Sequence, residues 1–473
     1  MIALGAWEPD RSPRLNDTVL SVASGAYPSA DGWRPCGALE NVQDPIGAIA
    51  KGGATFTSPQ GISSQIVGTN TNLYRARGSG WECIGSGYGL QGEGRWRFAQ
   101  FGGLAIATNG VDPVQKIDLS TFAAAPLGGN PPKFTILAVV KDFLVGGVRD
   151  GEVNTIGWSG LNNAEFWTVA QRQSDYSILA SGGEVTGILG GEYGVILQRN
   201  RITRLDYVGG NTIFQINETS SNIGCLTRHS VAQWGNLGFF LSDAGFMKYE
   251  GQPVPIGEER VNRWFFDRYG PEDWSAMSTA IDSVNKCVMW AMPDMVIAYN
   301  WVLDRFFTLP VAAEIVFSGV TRSILLDEQD PDFGAADDNL DGVGLPSFDD
   351  PKFKGGFPRL YILTSAGMGA LTGTPMAATF TGADIELVKG RRANLRLARP
   401  DIDATGGVSL TLEGKQRLGD AYDTSAASAM VSSGDMPCRH SARYTRPVWL
   451  VTAGTAWSYF KGAEYVGAAG AGR

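Results

Sequence analysis

Two stretches of this chain, 122 residues apart, follow one pattern: Leu241 to Pro253 reads LSDAGFMKYEGQP, and Leu363 to Pro375 reads LTSAGMGALTGTP. The shared form, L-[ST]-x-A-G-[FM]-x-x-[YL]-x-G-x-P, is a strand, a small-residue turn whose Gly supplies positive φ, and a second short strand leading to Gly-x-Pro. Weaker copies lie at Leu104 to Asp118, where Asn109-Gly110 is a two-residue turn signal, and at Val195 to Val208 around Arg199-Asn200-Arg201. Phe143 to Trp158 and Cys287 to Trp301 share the outline. Units starting near Gly103, Phe143, Gly194, Gly238, Cys287 and Leu360 are stepped by 40, 51, 44, 49 and 73 residues. A four-stranded propeller blade takes about 40 to 50 residues. The pattern therefore predicts an all-β chain: a β-propeller with an additional small β domain and long loop insertions, the last step carrying one of them.

Composition agrees with a turn-rich β protein, since 62 Gly, 23 Pro and 13 Trp in 473 residues leave few long amphipathic stretches. One helix is predicted, over Glu258 to Tyr269, where Val261, Trp264, Phe265 and Arg268 share a face. Residues 1–60, punctuated by Pro9, Pro13, Pro28, Pro35 and Pro45, read as an extended arm and lead-in strand. Residues 61–380 read as the propeller with an acidic insertion at 327–350, and 381–466 as a C-terminal β-strand region. The Gly/Ala stretch 467–473 reads as a flexible tail.

The start MIALGAWEPDRSP lacks the basic and apolar regions of a signal peptide, and no apolar run reaches the 18 or so residues of a membrane span. Assembly in a cytoplasm is expected. Five cysteines, Cys36, Cys83, Cys225, Cys287 and Cys438, are odd in number and form no C-x-x-C pair, which predicts free, mostly buried thiols and no zinc site.

Charge is concentrated. Asp327 to Asp350 holds nine acids, Asp337, Asp338 and Asp341 among them, and no Lys or Arg. The chain has 39 basic and 48 acidic residues, so removing those nine leaves 39 against 39. Asp337-x-Asn339-x-Asp341-Gly342 is the first half of a calcium loop, but Phe348 stands where the bidentate Glu belongs, so an acidic interaction loop is the expected reading and no cofactor or metal is assigned.

Catalytic signatures are missing from the sequence. The two histidines, His229 and His440, stand in no nucleophile, metalloprotease, Walker or dinucleotide motif, and each is expected to be a structural hydrogen-bonder. Ser242-Asp243-Ala244-Gly245-Phe246 resembles a fragment of the aspartate-box turn of sialidases, in which the aspartate shapes the hairpin, and the second copy has Ser365 in its place. A carbohydrate-binding or glycosidase propeller, which needs two facing carboxylates, is the enzymatic alternative. The cluster Lys389 to Arg399 presents Arg391, Arg392, Arg396 and Arg399, with Asn394 and Arg396 expected outward and Leu395 and Leu397 inward. An overall pI near 5 argues against an extended DNA footprint, and contact with an acidic loop of a neighbouring chain is the sharper expectation. Trp264, Phe265 and Phe266 are candidate interface aromatics, core packing being their alternative fate.

Several strings together carry a family resemblance: Trp7-Glu8-Pro9-Asp10, Arg95-Trp96-Arg97-Phe98-Ala99-Gln100-Phe101-Gly102, Ala107-Thr108-Asn109-Gly110-Val111-Asp112-Pro113, Tyr193 to Val208, Asn285 to Trp290 and Tyr299-Asn300-Trp301. They resemble the tail nozzle, or packaged-DNA stabilisation, proteins of short-tailed bacteriophages, over about residues 5 to 460. The resemblance implies a non-enzymatic virion protein of the tail. It implies a hexameric ring below the portal and adaptor ring, enclosing the channel by which double-stranded genomic DNA leaves without sequence-specific binding. It also implies contacts with tailspike or fibre and distal plug proteins, and no catalytic residues to carry over. A wall short of lysine suits such a conduit, because each neutralised phosphate releases counterions and would hold the passing DNA. A tail-tip or fibre-attachment protein is the alternative within phage tails.

Overall fold

The computed structural model describes residues 1–11, 17–210, 212–323 and 355–469. Seven antiparallel four-strand units follow one another and form the blades of a propeller. Their innermost strands are Gly52–Thr57, Arg97–Phe101, Phe134–Val140, Val185–Leu189, Ala232–Trp234, Ser278–Asp282 and Ile315–Val320, for blades 1 to 7 in order. Neighbouring innermost strands pack together from blade 5 round through blades 6, 7 and 1 to blade 4, the seventh against the first. Blades 4 and 5 are tied by Gln233, whose carboxamide accepts from the Gly190 N–H and donates to the Gly190 carbonyl.

Middle strands are covered on both faces by neighbouring blades, which is why Gly194–Gln198, Cys287–Ala291 and Val296–Asn300 are buried at every position. They read as continuous apolar runs instead of alternating ones. The hairpins of the sequence pattern are the second and third strands of blades 2 to 7. Both full copies close with a two-residue turn, Ser242 pairing Gly245 in blade 5 and Thr364 pairing Gly367 in blade 7. Asp243 is exposed and its carboxylate accepts from Ser242 Oγ, so it shapes the turn.

Four expectations need correction. Blade 1 begins at Gly52, before the expected boundary, and its second strand, Ser63–Gly68, opens on the buried polar run Ser63-Ser64-Gln65. Gln65 spends its amide on blade 7, donating to the Val320 carbonyl and to Tyr361 Oη, so an interblade hydrogen bond stands where a hydrophobic signal was sought. Asn109-Gly110 is not a two-residue hairpin turn. It opens a loop from Asn109 to Val114, whose first residue accepts the N–H groups of Val111 and Asp112.

The N-terminal segment is not an extended arm. Gly37–Gln43 is the outermost strand of blade 7, pairing with Gly367–Pro375 and closing the ring. Val22–Ser24 adds to the outermost strand of blade 6, Arg305–Leu309, in parallel, and pairs antiparallel with Ala378–Thr381 on its other side. Pro28 is tolerated because its strand, Ala26–Ser29, lies at a sheet edge. Gly467 to Ala469, expected in a flexible tail, pair with Leu395 to Ala393.

Through Val22–Ser24 the sheet of blade 6 runs on without a break into Ala378–Thr381, Tyr444–Val451 and Val408–Lys415, ten strands in all. A second sheet, which includes Gly32–Pro35, Phe460–Ala469, Ala393–Ile402 and Met436–Ala442, packs across it. Trp33, Phe380, Trp449 and Phe460 are fully buried between them at ring separations of 5.4 to 5.7 Å. The same apolar cluster reaches Trp290, Phe306 and Phe307 of blade 6, so propeller and sandwich share one core. Among the described residues no helix is long and apolar enough to cross a membrane.

Candidate functional site at the mouth of the propeller axis

The residues just ahead of the innermost strands converge at one end of the propeller axis. Lys51 precedes the first strand of blade 1, Arg95 and Arg97 flank Trp96 at blade 2, and a 3-10 turn, Arg228–Ser230, leads into blade 5. Between them lies a cavity of about 190 Å³, whose lining includes Lys51, Arg95, Arg97, His229, Thr279 and Ser318. All four titratable lining residues are bases.

Backbone carbonyls hold these bases in place. Arg95 donates to the carbonyls of Glu314 (3.1 Å) and Ala276 (2.6 Å), and Lys51 Nζ donates to Gly92 O at 2.9 Å. Arg97 Nη2 donates to Arg228 O at 2.7 Å and lies 2.9 Å from His229 Nδ1. An arginine has no acceptor, so His229 Nδ1 accepts and the imidazole proton sits on Nε2. The His229 carbonyl accepts from Thr279 Oγ1 at 2.6 Å, which fixes the turn against blade 6. Arg228 pairs with Glu184, just ahead of blade 4.

Electrostatics follow from the crowding of like charges. Burial, with the charges of Arg95 and Arg228 behind it, draws the Arg97 guanidinium down to about 10. Burial also lowers Arg95, Arg228 and Lys51. His229 is held well below its ordinary value by burial first, then by Arg97, Arg95, Arg228 and Lys51. The unfolded chain therefore takes up this proton near pH 6.5 while the folded chain does not. Stability tied to His229 is present above pH 6.5 and is lost as pH falls, by about 1.4 kcal/mol per pH unit until the folded group titrates. His229→Gln is expected to flatten the acid side of the stability curve between pH 6.5 and 5, checked by urea melts at each pH. An unchanged slope would refute the assignment.

The residues singled out from sequence are distributed otherwise. Asp337, Asp338 and Asp341 lie outside the described residues. Arg391 and Arg392 are exposed in the turn before Ala393–Ile402, and Arg396 is exposed on that strand; none has an ion-pair partner among the described residues. The expected alternation breaks at Arg396, because the register slips between Leu395 and Leu397 against both neighbouring strands. Arg396 is thus the extra residue of a β-bulge against Phe460–Ala469, while against Met436–Ala442 the extra residue lies on the neighbouring strand. Leu395 stays buried, Leu397 is half-buried and Ala398 takes the next core position. Arg396 shares a surface groove with Arg439 and His440 of the sheet-edge strand Met436–Ala442. Arg399 is engaged by Asp435 and Glu464.

Of the two aromatic interface candidates, Phe265 belongs to the core and Trp264 is half-buried. They lie on the helix Asn262–Arg268, shorter than expected, where Phe265 is fully buried. Trp264 packs edge-on against Trp7, centroids 5.0 Å apart. The carboxylate of Asp10 accepts from the backbone N–H groups of Arg263 and Trp264, so the N-terminal segment caps this helix and lays Trp7 against Trp264. The cysteines are free, four buried and Cys83 exposed. No cluster that could hold a metal ion occurs among the described residues.

The axial cluster escaped sequence reasoning because its members are drawn from positions 51 to 229 and share no spacing. The available signals were Arg95-Trp96-Arg97 and Arg228-His229, each placed directly before an innermost strand.

The closed ring and its strand pairing define the chain as a seven-bladed β-propeller fused to a β-sandwich. No family model matches the chain, and no curated protein does. Among solved structures it is similar to the extracellular domain of a putative hybrid two-component system of B. thetaiotaomicron, with TM-score 0.42, 11% identity and coverage of 82% of this chain. The chain spans 47% of that protein. A structure of the mitotic checkpoint complex is similar at TM-score 0.39 and 12% identity, over 60% of this chain and 87% of the other. The β-propeller domain of Myceliophteria thermophila Cps50 (Swd1) is similar at 0.39 and 7%, over 59% and 92%.

Proposed function

We propose that this chain is a structural subunit of a phage tail nozzle, one wedge of a ring below a portal and adaptor that retains and conducts double-stranded DNA. The observation that carries the reading is the continuous sheet joining blade 6 to the sandwich, taken with the family resemblance of the sequence. A ring requires a subunit whose two lateral faces keep a fixed angle, because a heterologous contact closes only at one rotation. A propeller tethered by a linker would not hold that angle, whereas a shared sheet and a shared core do. Arg391, Arg392 and Arg396, exposed on the sandwich and without an ion-pair partner among the described residues, supply one charged face for such a contact. The acidic segment 327–350, inserted in blade 7, supplies the complementary charge on the next subunit.

The native mass of the purified protein, alone and mixed with portal and adaptor rings of the same genome, tests this directly. Six copies joining the ring are expected. A persistent monomer that ignores those rings would overturn the nozzle reading and favour a tail-tip or fibre-attachment role. Arg391→Glu with Arg392→Glu is expected to weaken ring assembly at least tenfold while leaving the melting temperature unchanged, since both side chains are exposed. Undiminished assembly would refute the charged contact.

A further inference from the structure

The cavity at the propeller axis is lined by none of the residues proposed for the ring contact, and its chemistry is specific. Its titratable lining is Lys51, Arg95, Arg97 and His229, with no carboxylate among the lining residues. The nearby carboxylates are already engaged: Glu184 pairs with Arg228, and Glu314 accepts the Ala50 N–H at 2.8 Å. Glu93 is exposed beyond the rim and acts on Arg95 only through space. Four cations, Lys51, Arg95, Arg97 and Arg228, thus face Glu93, Glu184 and Glu314 around the mouth, a surplus of one positive charge.

Burying such a surplus is costly unless an anion answers it. Donors for one remain unspent. Among the described residues, Arg95 Nε is buried without a hydrogen-bond partner, and Arg97 uses only Nη2. His229, accepting at Nδ1, has an Nε2–H left to donate. The carbonyls of Ala276, Glu314, Arg228 and Gly92 fix the cations in position before any ligand arrives, which lowers the ordering cost of binding.

We propose that this axial cavity binds a tetrahedral oxyanion, a phosphate group, held by Arg97, Arg95 and Lys51 with His229 donating from Nε2. A phosphate monoester brings about −1.5 to −2 charges at neutral pH and three strong acceptor oxygens for the separate donors of Arg95, Arg97, Lys51 and His229, whereas a carboxylate has two oxygens to share among them. A cavity of about 190 Å³ admits such a group and excludes a nucleic-acid duplex.

The test uses the full chain and inorganic phosphate, titrated at constant ionic strength with chloride as the balancing anion. Phosphorus NMR line broadening and the melting temperature are the readouts. Saturable broadening is expected, with a rise in melting temperature that chloride does not reproduce. Lys51→Met and Arg97→Gln are each expected to raise the dissociation constant at least tenfold. Should Arg97→Gln fail to fold, Lys51→Met, whose side chain is only half-buried, carries the test alone. Glycerol phosphate binding as tightly as inorganic phosphate would identify a monoester source, and binding of free phosphate alone would identify the inorganic ion; either supports the site. Acetate acting as strongly as phosphate, or phosphate acting no differently from chloride, would overturn it. The measurement is made on isolated protein, so its failure is separate from any failure to form a ring.

Discussion

Removing residues 1–43 is expected to abolish the folded propeller, even though all of those residues precede its first blade in the chain. The deletion takes away Gly37–Gln43, the strand that completes blade 7 and closes the ring, and bares the backbone of Gly367–Pro375 along its length. It also removes Val22–Ser24, the strand joining Arg305–Leu309 to Ala378–Thr381, and with it this junction of propeller and sandwich. Trp7, Leu20, Ala23, Tyr27 and Trp33 leave the shared core at the same time. An open edge of this kind pairs with other chains. The truncated protein is expected to aggregate on expression and to lack a near-ultraviolet circular dichroism signal. A soluble monomer melting at the temperature of the full chain would sink the closure account.

Phe380→Ala is expected to cost about 3–5 kcal/mol, the range for emptying a buried aromatic site. Phe380 is fully buried at the centre of the sandwich, its ring 5.4 Å from Trp33 and 5.7 Å from Phe460. Its strand pairs with Val22–Ser24, which pairs in turn with blade 6, so the loss propagates through one sheet. Denaturant melts followed by calorimetry should show propeller and sandwich still unfolding in a single transition, shifted to lower denaturant. Two separated transitions, with the blade signal unmoved, would mean that the two parts fold independently and that the shared core does not couple them.

The repeat was legible because a hairpin is a local object. Leu241-Ser-Asp-Ala-Gly-Phe and Leu363-Thr-Ser-Ala-Gly-Met contain their own turn, and the spacing of such units announces blades whatever the rest of the chain does. The β-bulge at Arg396 and the loop after Asn109 were not legible, because each depends on the register of a neighbouring strand that the local sequence does not record. Blade 1 was missed for a related reason: Ser63, Ser64 and Gln65 are buried polar residues, and Gln65 is satisfied from blade 7, more than 250 residues away.

The sequence by itself therefore determined the β class, the hairpin unit, its repeat length, the burial of most thiols and the concentration of acid in one insertion. All of these follow from turn chemistry and composition, which act over a few residues. Tertiary structure alone decided which strand closes the ring, that propeller and sandwich share a sheet, that Trp7 of the N-terminal segment packs on Trp264, and that Lys51, Arg95, Arg97 and His229 meet on the axis. Those are contacts between residues far apart in the chain. Their energy lies in the packing and electrostatics of the assembled ring, and no local pattern encodes it.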